Sequence, residues 1–129
     1  MLKDLRESIR KYDLKNIQII KTSGEIEIPL KDDSIDVFLL FDIMHLIEED
    51  ERKLLIEEIS RVLKKGGIVS YHATHIDGIE DNFIKEIHKM MKQNGFILSK
   101  TLQREMFHWS WIQDSYIFNY KRKEKDTKL

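Results

Sequence analysis

Apolar residues recur every three or four positions in three segments of the chain, a pattern that predicts three amphipathic helices. The first helix covers about residues 2–12, the second about residues 50–64 and the third about residues 83–91. Acidic residues crowd the start of the second helix, where negative charge complements the backbone dipole. The pair Gly66-Gly67 follows this helix and predicts a left-handed helix stop and a turn.

Strand patterns fill much of the remaining chain. Ile35–Phe41 is almost entirely apolar, as expected of a strand covered on both faces in a parallel sheet. A second strand at 68–74 follows the central helix, and a strand, helix and strand in this order form a right-handed parallel unit. Three more strands are predicted at 16–22, 96–102 and 115–120. We therefore expect one α/β domain over residues 1–120 and a solvated, charged tail over 121–129.

Composition narrows the possible partners and compartments. The 129 residues carry a net charge of -1, so no global field favours nucleic acid. There is no cysteine, which excludes disulfides, thiolate metal sites and a cysteine nucleophile. The longest apolar run is far shorter than the roughly 20 residues of a membrane span, and the amino terminus is too charged for a signal peptide. We expect a cytoplasmic protein with no nucleic-acid or membrane partner.

Two motifs carry a resemblance to a known family. Ile28-Pro-Leu is followed by Asp33-Ser-Ile-Asp-Val, and Glu58-Ile-Ser-Arg-Val-Leu-Lys-Lys-Gly-Gly ends the central helix. This succession resembles the later part of class I S-adenosylmethionine (SAM) dependent methyltransferases of the type 11 branch. That family has a seven-stranded sheet of order 3-2-1-4-5-7-6 in which strand 7 is antiparallel.

The resemblance implies a partial Rossmann-like sheet. The opening helix resembles helix B, and the five predicted strands resemble strands 3, 4, 5, 6 and 7. Strands 1 and 2 and the glycine-rich loop that holds SAM have no counterpart in the sequence, which implies a domain truncated at its amino terminus. We therefore expect weak or no SAM binding by this chain alone.

The resemblance also implies site residues. Gly24 occupies the place of an acidic residue that accepts a hydrogen bond from the adenine of SAM. The adjacent Glu25 could substitute after a shift of one residue, or it could be a solvated loop residue. Phe41, Asp42 and His45 match residues that line the methyl-transfer site, at the end of a central parallel strand.

Each of these last three residues has an alternative role. Phe41 could simply pack in the core, and Asp42 could cap the following turn. His45 could be a base that takes a proton from a substrate hydroxyl or amine, because its ordinary pKa suits neutral pH. Many members of the family work by positioning alone, which leaves the role of His45 open.

Histidines and tryptophans form two further patterns. His72 and His75, with His45 near, could suggest a divalent metal. Residues i and i+3 of a strand point to opposite faces, however, and no carboxylate has a supporting spacing, so we expect no metal. Trp109 and Trp111, beside Phe107 and His108, could form an aromatic wall over a substrate or a hairpin that covers the sheet.

The missing strands bear on assembly and function. Without strands 1 and 2 the apolar edge of Ile35–Phe41 would be open, and such edges pair with other chains. We expect a homodimer, formed through this edge or by exchange of residues 1–22. The predicted function is methyl transfer from SAM to an O, N or C atom of an unknown small molecule. The alternative is a non-catalytic, methyltransferase-like dimerisation or regulatory module.

Overall fold

A parallel pair of strands forms the centre of the molecule. In the computed structural model, which describes residues 2–124, strand β1 (Ile35–Phe41) lies parallel to strand β2 (Leu63–Ala73). Helix α2 (Glu49–Val62) makes the crossover between them, after a short 3-10 turn at Met44–Leu46. The predicted strand–helix–strand unit is confirmed.

Two long antiparallel strands complete the sheet. Helix α3 (Asn82–Gln93) leads into β3 (Phe96–His108), which forms a hairpin with β4 (Trp111–Arg122). Strand β4 lies antiparallel to β2, so the order is β1-β2-β4-β3. This is the 4-5-7-6 part of the order that the resemblance implied, with the antiparallel strand in its expected place.

Strand β4 extends further than predicted. Lys121 pairs with Ile68 and Arg122 pairs with Phe96, so the first two residues assigned to the tail belong to the sheet. The last residues of the predicted tail, 125–129, lie outside the described residues.

The hydrophobic core lies on one face of the sheet. Helices α2 and α3 pack there through apolar residues that are fully buried, among them Ile56, Ile59, Ile84 and Ile87. The sheet contributes a matching layer of aromatic residues: Tyr71, Phe118 and Tyr120. No helix within residues 2–124 combines the length and apolar character needed to cross a membrane.

The opposite face is open along β1. Val37, Leu39 and Phe41 are 54%, 63% and 40% exposed, while Leu40 points into the core. The expectation that β1 is covered on both faces is therefore wrong for this chain. Helix α1 (Leu2–Lys11) forms as predicted, but it buries none of its residues.

The strand predicted at residues 16–22 does not form. The segment has no regular structure, and its Ile17 and Ile20 are 44% and 42% exposed. A strand is stabilised by hydrogen bonds to a neighbouring strand. In the described residues, no strand of the four-stranded sheet pairs with this segment. Alternating apolar residues alone do not supply that neighbour.

The glycine pair has a different role from the predicted helix stop. Helix α2 ends at Val62, and Leu63 is already extended, with φ -76° and ψ 134°. Ile35 pairs with Leu63 but Val37 pairs with Ile68, so the chain between these pairs bulges out of the sheet. Gly66, with φ +75°, lies in this bulge and permits its left-handed turn.

Hydrogen bonds to α2 hold the segment that precedes β1. The Ile28 N–H donates to Glu58 Oε2 over 2.8 Å. The Arg61 guanidinium donates to the carbonyl oxygens of Ile28 and Leu30, and it also contacts Glu58. Glu58 and Arg61 of the second motif therefore have a structural role, because their hydrogen bonds fix where the chain enters β1.

Candidate functional site

Polar residues gather where the two parallel strands end. Asp42 follows β1 directly, and Thr74 follows β2. The Thr74 hydroxyl donates a hydrogen bond of 2.6 Å to Asp42 Oδ1. In open α/β sheets this is the edge at which ligands bind.

Three imidazole rings surround the Asp42 carboxylate. His45 Nδ1 lies 3.9 Å from Asp42 Oδ1 and 3.4 Å from Thr74 Oγ1. His75 Nε2 lies 3.9 Å and His108 Nε2 lies 3.7 Å from the same carboxylate oxygen. The rings of His45 and His75 are 4.1 Å apart at their centres. We call these five residues the carboxylate cluster: Asp42, His45, Thr74, His75 and His108.

Two backbone features bring distant residues into the carboxylate cluster. Strand β2 ends at Ala73, and His75 has φ +58°, so the chain turns and its side chain no longer follows the alternation of the strand. The β3–β4 hairpin runs past the end of β2, because Tyr116 pairs with Ala73 while residues 111–115 continue beyond it. His108 lies on this projecting part, over the end of the parallel pair.

The charges of the carboxylate cluster are set by its hydrogen bonds and burial. The Thr74 hydrogen bond is the main cause that lowers the pKa of Asp42, and the neighbouring His108 lowers it further, whereas burial opposes the shift. Burial lowers the pKa of His45, and the adjacent His75 adds to this effect. At neutral pH the site therefore holds an ionised carboxylate beside a neutral His45 ring.

Ring nitrogens of two buried histidines lack hydrogen-bond partners within residues 2–124. His108 is 8% exposed, and neither of its ring nitrogens has a partner. His72 is 3% exposed, its Nε2 has no partner, and burial lowers its pKa. Buried polar groups in folded proteins are nearly always paired, so these unpaired ring nitrogens are unusual.

A cavity of about 350 Å³ adjoins the carboxylate cluster. Its lining residues are His75, Ile76, His108, Trp109, Trp111 and Gln113. Trp109 lies in the tight turn of the β3–β4 hairpin and Trp111 begins β4; their side chains are 77% and 51% exposed. The predicted hairpin is confirmed, although it extends the sheet instead of covering its face. The aromatic wall over a substrate stays a prediction.

The structure contradicts one of the two alternatives for Phe41 and one for Asp42, while their role at a methyl-transfer site stays a prediction. Phe41 is 40% exposed and contacts the edge of His72, with ring centres 5.6 Å apart, so simple core packing is wrong. Asp42 does not cap the following turn, whose N-cap is Ile43 without a side-chain bond. Its carboxylate accepts the Thr74 hydrogen bond instead.

The other predicted residues have separate outcomes. His45 Nδ1 lies 3.9 Å from Asp42 Oδ1, and its role at a methyl-transfer site stays a prediction. Gly24 and Glu25 lie in the exposed segment before β1, with open space around Gly24, and their place near an adenine stays a prediction. A carboxylate does lie near the histidines, contrary to the prediction, because Asp42 Oδ1 at the end of β1 lies 3.9 Å from His75 Nε2.

Sequence reasoning missed two members of the carboxylate cluster, Thr74 and His108. Thr74 carried no signal of its own as the last residue of an apolar strand. His108 had been grouped with the aromatic residues of the hairpin, and only the strand register shows that it returns to the end of β2. A polar, titratable residue within an exposed aromatic run was the available signal.

Comparison with known proteins agrees with the geometry. The methyltransferase from Methanosarcina mazei, described as SAM-dependent, is 12% identical with a TM-score of 0.70, over 92% of this chain and 75% of that one. A SAM-dependent methyltransferase from Aquifex aeolicus is 18% identical with a TM-score of 0.67, over 90% of this chain and 60% of that one. The YcgJ protein from Bacillus subtilis is 12% identical with a TM-score of 0.71, over 96% and 79%. At these identities the likeness shows the fold.

Sequence comparison identifies the family. No curated protein sequence matches the chain. The family model described as a methyltransferase domain matches residues 1–71, which is more than half of the 129 residues. This chain therefore belongs to the methyltransferase-domain family.

Proposed function

We propose that this chain takes part in methyl transfer from SAM to an O, N or C atom of a small molecule. The observation that carries the proposal is the position of Asp42 and His45 at the carboxyl ends of a parallel strand pair, in a chain of this family. The solved structures of similar fold include proteins described as SAM-dependent methyltransferases, which supports SAM as the donor.

The proposed roles of the residues are mainly positional. Holding donor and acceptor in line supplies much of the rate of such a transfer. Phe41, Asp42 and His45 would line the reaction site, with Gly24 and Glu25 near the adenine. The Asp42 carboxylate faces Nδ1 of His45, so it would favour the tautomer that carries its proton there. The Nε2 lone pair would then be free to take a proton from the acceptor.

We expect the chain alone to bind SAM weakly. Members of the family bind SAM through a glycine-rich loop at the amino terminus of a helix, and these 129 residues contain no such loop. Isothermal titration of the chain with SAM should give no saturable heat at micromolar concentration. Micromolar affinity would show that other residues replace the loop.

Nuclear magnetic resonance tests the site at higher donor concentration. Millimolar SAM should shift the backbone amide signals of Phe41, Asp42 and His45, whereas millimolar ATP, a matched adenine ligand without the sulfonium, should shift them less. Asp42→Asn should reduce the SAM shifts, while Asp114→Asn, an exposed change on β4, should not. Absence of shifts, or shifts confined to another surface, would contradict the proposal.

A second candidate is a non-catalytic module that joins another chain through β1. The exposed side chains of Val37, Leu39 and Phe41 favour it, since they border a free sheet edge within the described residues. We propose a second copy of this chain as the partner. A cytoplasmic location also stays a proposal, supported by the charged amino terminus and the lack of cysteine.

A further inference from the structure

We propose that Asp42, His75 and His108 bind one divalent transition-metal ion. The inference goes beyond methyl transfer and does not depend on it, because it rests on the ligand atoms themselves. One carboxylate oxygen and one nitrogen from each of two imidazoles lie within 4.8 Å of one another, beside the carboxyl end of the parallel strands.

The distances are close to those of a metal site. Asp42 Oδ1 lies 3.9 Å from His75 Nε2 and 3.7 Å from His108 Nε2, and the three ligand atoms all lie within 4.8 Å of one another. Ligands at 2.0–2.1 Å from a tetrahedral ion are about 3.4 Å apart. To form the site, the distances from Asp42 Oδ1 to the two ring nitrogens must shorten by a few tenths of an ångström. The ligand atoms of the two rings, at most 4.8 Å apart, must also approach to about 3.4 Å. His75 is exposed and follows the end of β2, so it can move.

His108 supplies a second, independent observation. Its side chain is more than nine-tenths buried and its Nε2 faces Asp42, but at 3.7 Å it is too far for a hydrogen bond. Neither ring nitrogen has a partner among residues 2–124. A metal ion between His108 and Asp42 would satisfy the Nε2 lone pair and neutralise the buried side of the carboxylate.

The ligand set indicates which ions fit. Two imidazoles with one carboxylate suit zinc, cobalt, nickel or iron(II), whereas magnesium and calcium prefer oxygen ligands. Three protein ligands leave a position open for water or another molecule. His75, His108 and the two tryptophans, Trp109 and Trp111, line the same cavity of about 350 Å³. A planar molecule bound in this cavity could therefore coordinate the ion through an oxygen or nitrogen atom.

Metal titration of the whole chain, freed of metal by a chelator, tests the proposal. Zinc should bind with one ion per chain by isothermal titration, and cobalt should give the visible absorption bands of a four- or five-coordinate site. Asp42→Asn, His75→Ala and His108→Gln should each weaken zinc binding at least about tenfold and reduce the cobalt bands.

Matched controls separate this site from loose binding by histidines. His88→Gln removes a histidine on α3, and Asp114→Asn removes a carboxylate on β4; both should bind zinc like the wild type. Circular dichroism checks each fold, and His75→Ala decides the matter if His108→Gln unfolds, because His75 is exposed.

Three outcomes would overturn the proposal. They are the absence of zinc binding near one ion per chain, equal loss in His88→Gln and His75→Ala, and displacement of zinc by equimolar magnesium. None of these readouts involves SAM, so the metal site and the methyl-transfer proposal can fail separately.

Discussion

Thr74 and Asp42 form a hydrogen bond of 2.6 Å that joins the ends of the two parallel strands. Asp42 has φ +54°, a left-handed conformation that is unfavourable for most residues other than glycine. The conformation turns the chain away from β1 and directs the carboxylate towards β2. The bond therefore stabilises the backbone on which the carboxylate cluster is arranged.

Thr74→Val should remove this bond while keeping the volume of the side chain. We expect a loss of about 1 kcal/mol in the free energy of unfolding, less than for a fully buried bond to a charged group because Asp42 is partly exposed. Urea unfolding at neutral pH measures it. Because Thr74→Ser would also lose a buried methyl group, a double-mutant cycle of Thr74→Val with Asp42→Asn isolates the bond, and a coupling energy near zero would contradict its role.

Glu58 should make stability depend on acid pH. Hydrogen bonds from Arg61 and from the Ile28 N–H lower its pKa from 4.5 to about 2. Because the folded pKa is depressed, this stabilisation is complete above pH 4.5 and is lost as the pH falls towards about 2. Glu58→Gln should cost about 1–2 kcal/mol at pH 7 and flatten the pH profile in that window.

Urea unfolding at several pH values tests the Glu58 prediction. Glu57→Gln is the matched control, since Glu57 is its exposed neighbour on α2. The control should leave both the stability at pH 7 and its decline below pH 4.5 unchanged. A Glu58→Gln variant with the wild-type pH profile would show that the network with Arg61 and Ile28 does not stabilise the fold.

The helices could be predicted from the local spacing of apolar residues, and the strand order could be predicted from the family resemblance. Helices α2 and α3 make their hydrogen bonds within the segment, so the spacing of apolar residues suffices to find them. The segment 16–22 shows the limit, since a strand depends on a neighbour that its own residues do not encode. The pair Gly66-Gly67 shows a second limit, because a helix stop and a bulge in a sheet both favour a glycine in the left-handed conformation.

The site was predictable where its residues are close in sequence. Asp42 and His45 are three positions apart, and their side chains lie 3.9 Å from each other. His108 is brought to them by the pairing register of β3 and β4, and His75 by a turn with φ +58°. Neither register nor turn follows from spacing, which is why the histidines had seemed to lack a carboxylate.

Gly67 should be intolerant of any side chain. A Cβ at this position would lie 2.7 Å from Leu63 Cγ and 2.8 Å from the Lys64 carbonyl oxygen. Since the second atom is backbone, the bulge itself must shift, and we expect Gly67→Ala to cost about 1–3 kcal/mol. Urea unfolding measures the loss.

The neighbouring glycine serves as the control for the Gly67 prediction. Gly66 has φ +75°, but a Cβ there would come no closer than 3.8 Å to Lys121. Gly66→Asn should therefore destabilise less than Gly67→Ala, because asparagine tolerates the left-handed region. The reverse order would show that backbone conformation, and not close approach to Leu63, limits the bulge.

The open edge of β1 should hold two copies of the chain together. Leu39 is 63% exposed, and burying such a side chain contributes about 1.5–3 kcal/mol. Lysine on an edge strand opposes pairing with another chain. We expect the wild type to be a dimer and Leu39→Lys a monomer when light scattering measures their mass at micromolar concentration.

Two further lysine variants separate the possible causes of dimer formation. Leu54 on α2 is 50% exposed, so Leu54→Lys makes a similar change away from the edge and should leave the dimer intact. Leu5 on α1 is 43% exposed, and Leu5→Lys should weaken the dimer only if residues 1–22 are exchanged between copies. A wild-type chain that is monomeric at this concentration would refute self-association through either surface.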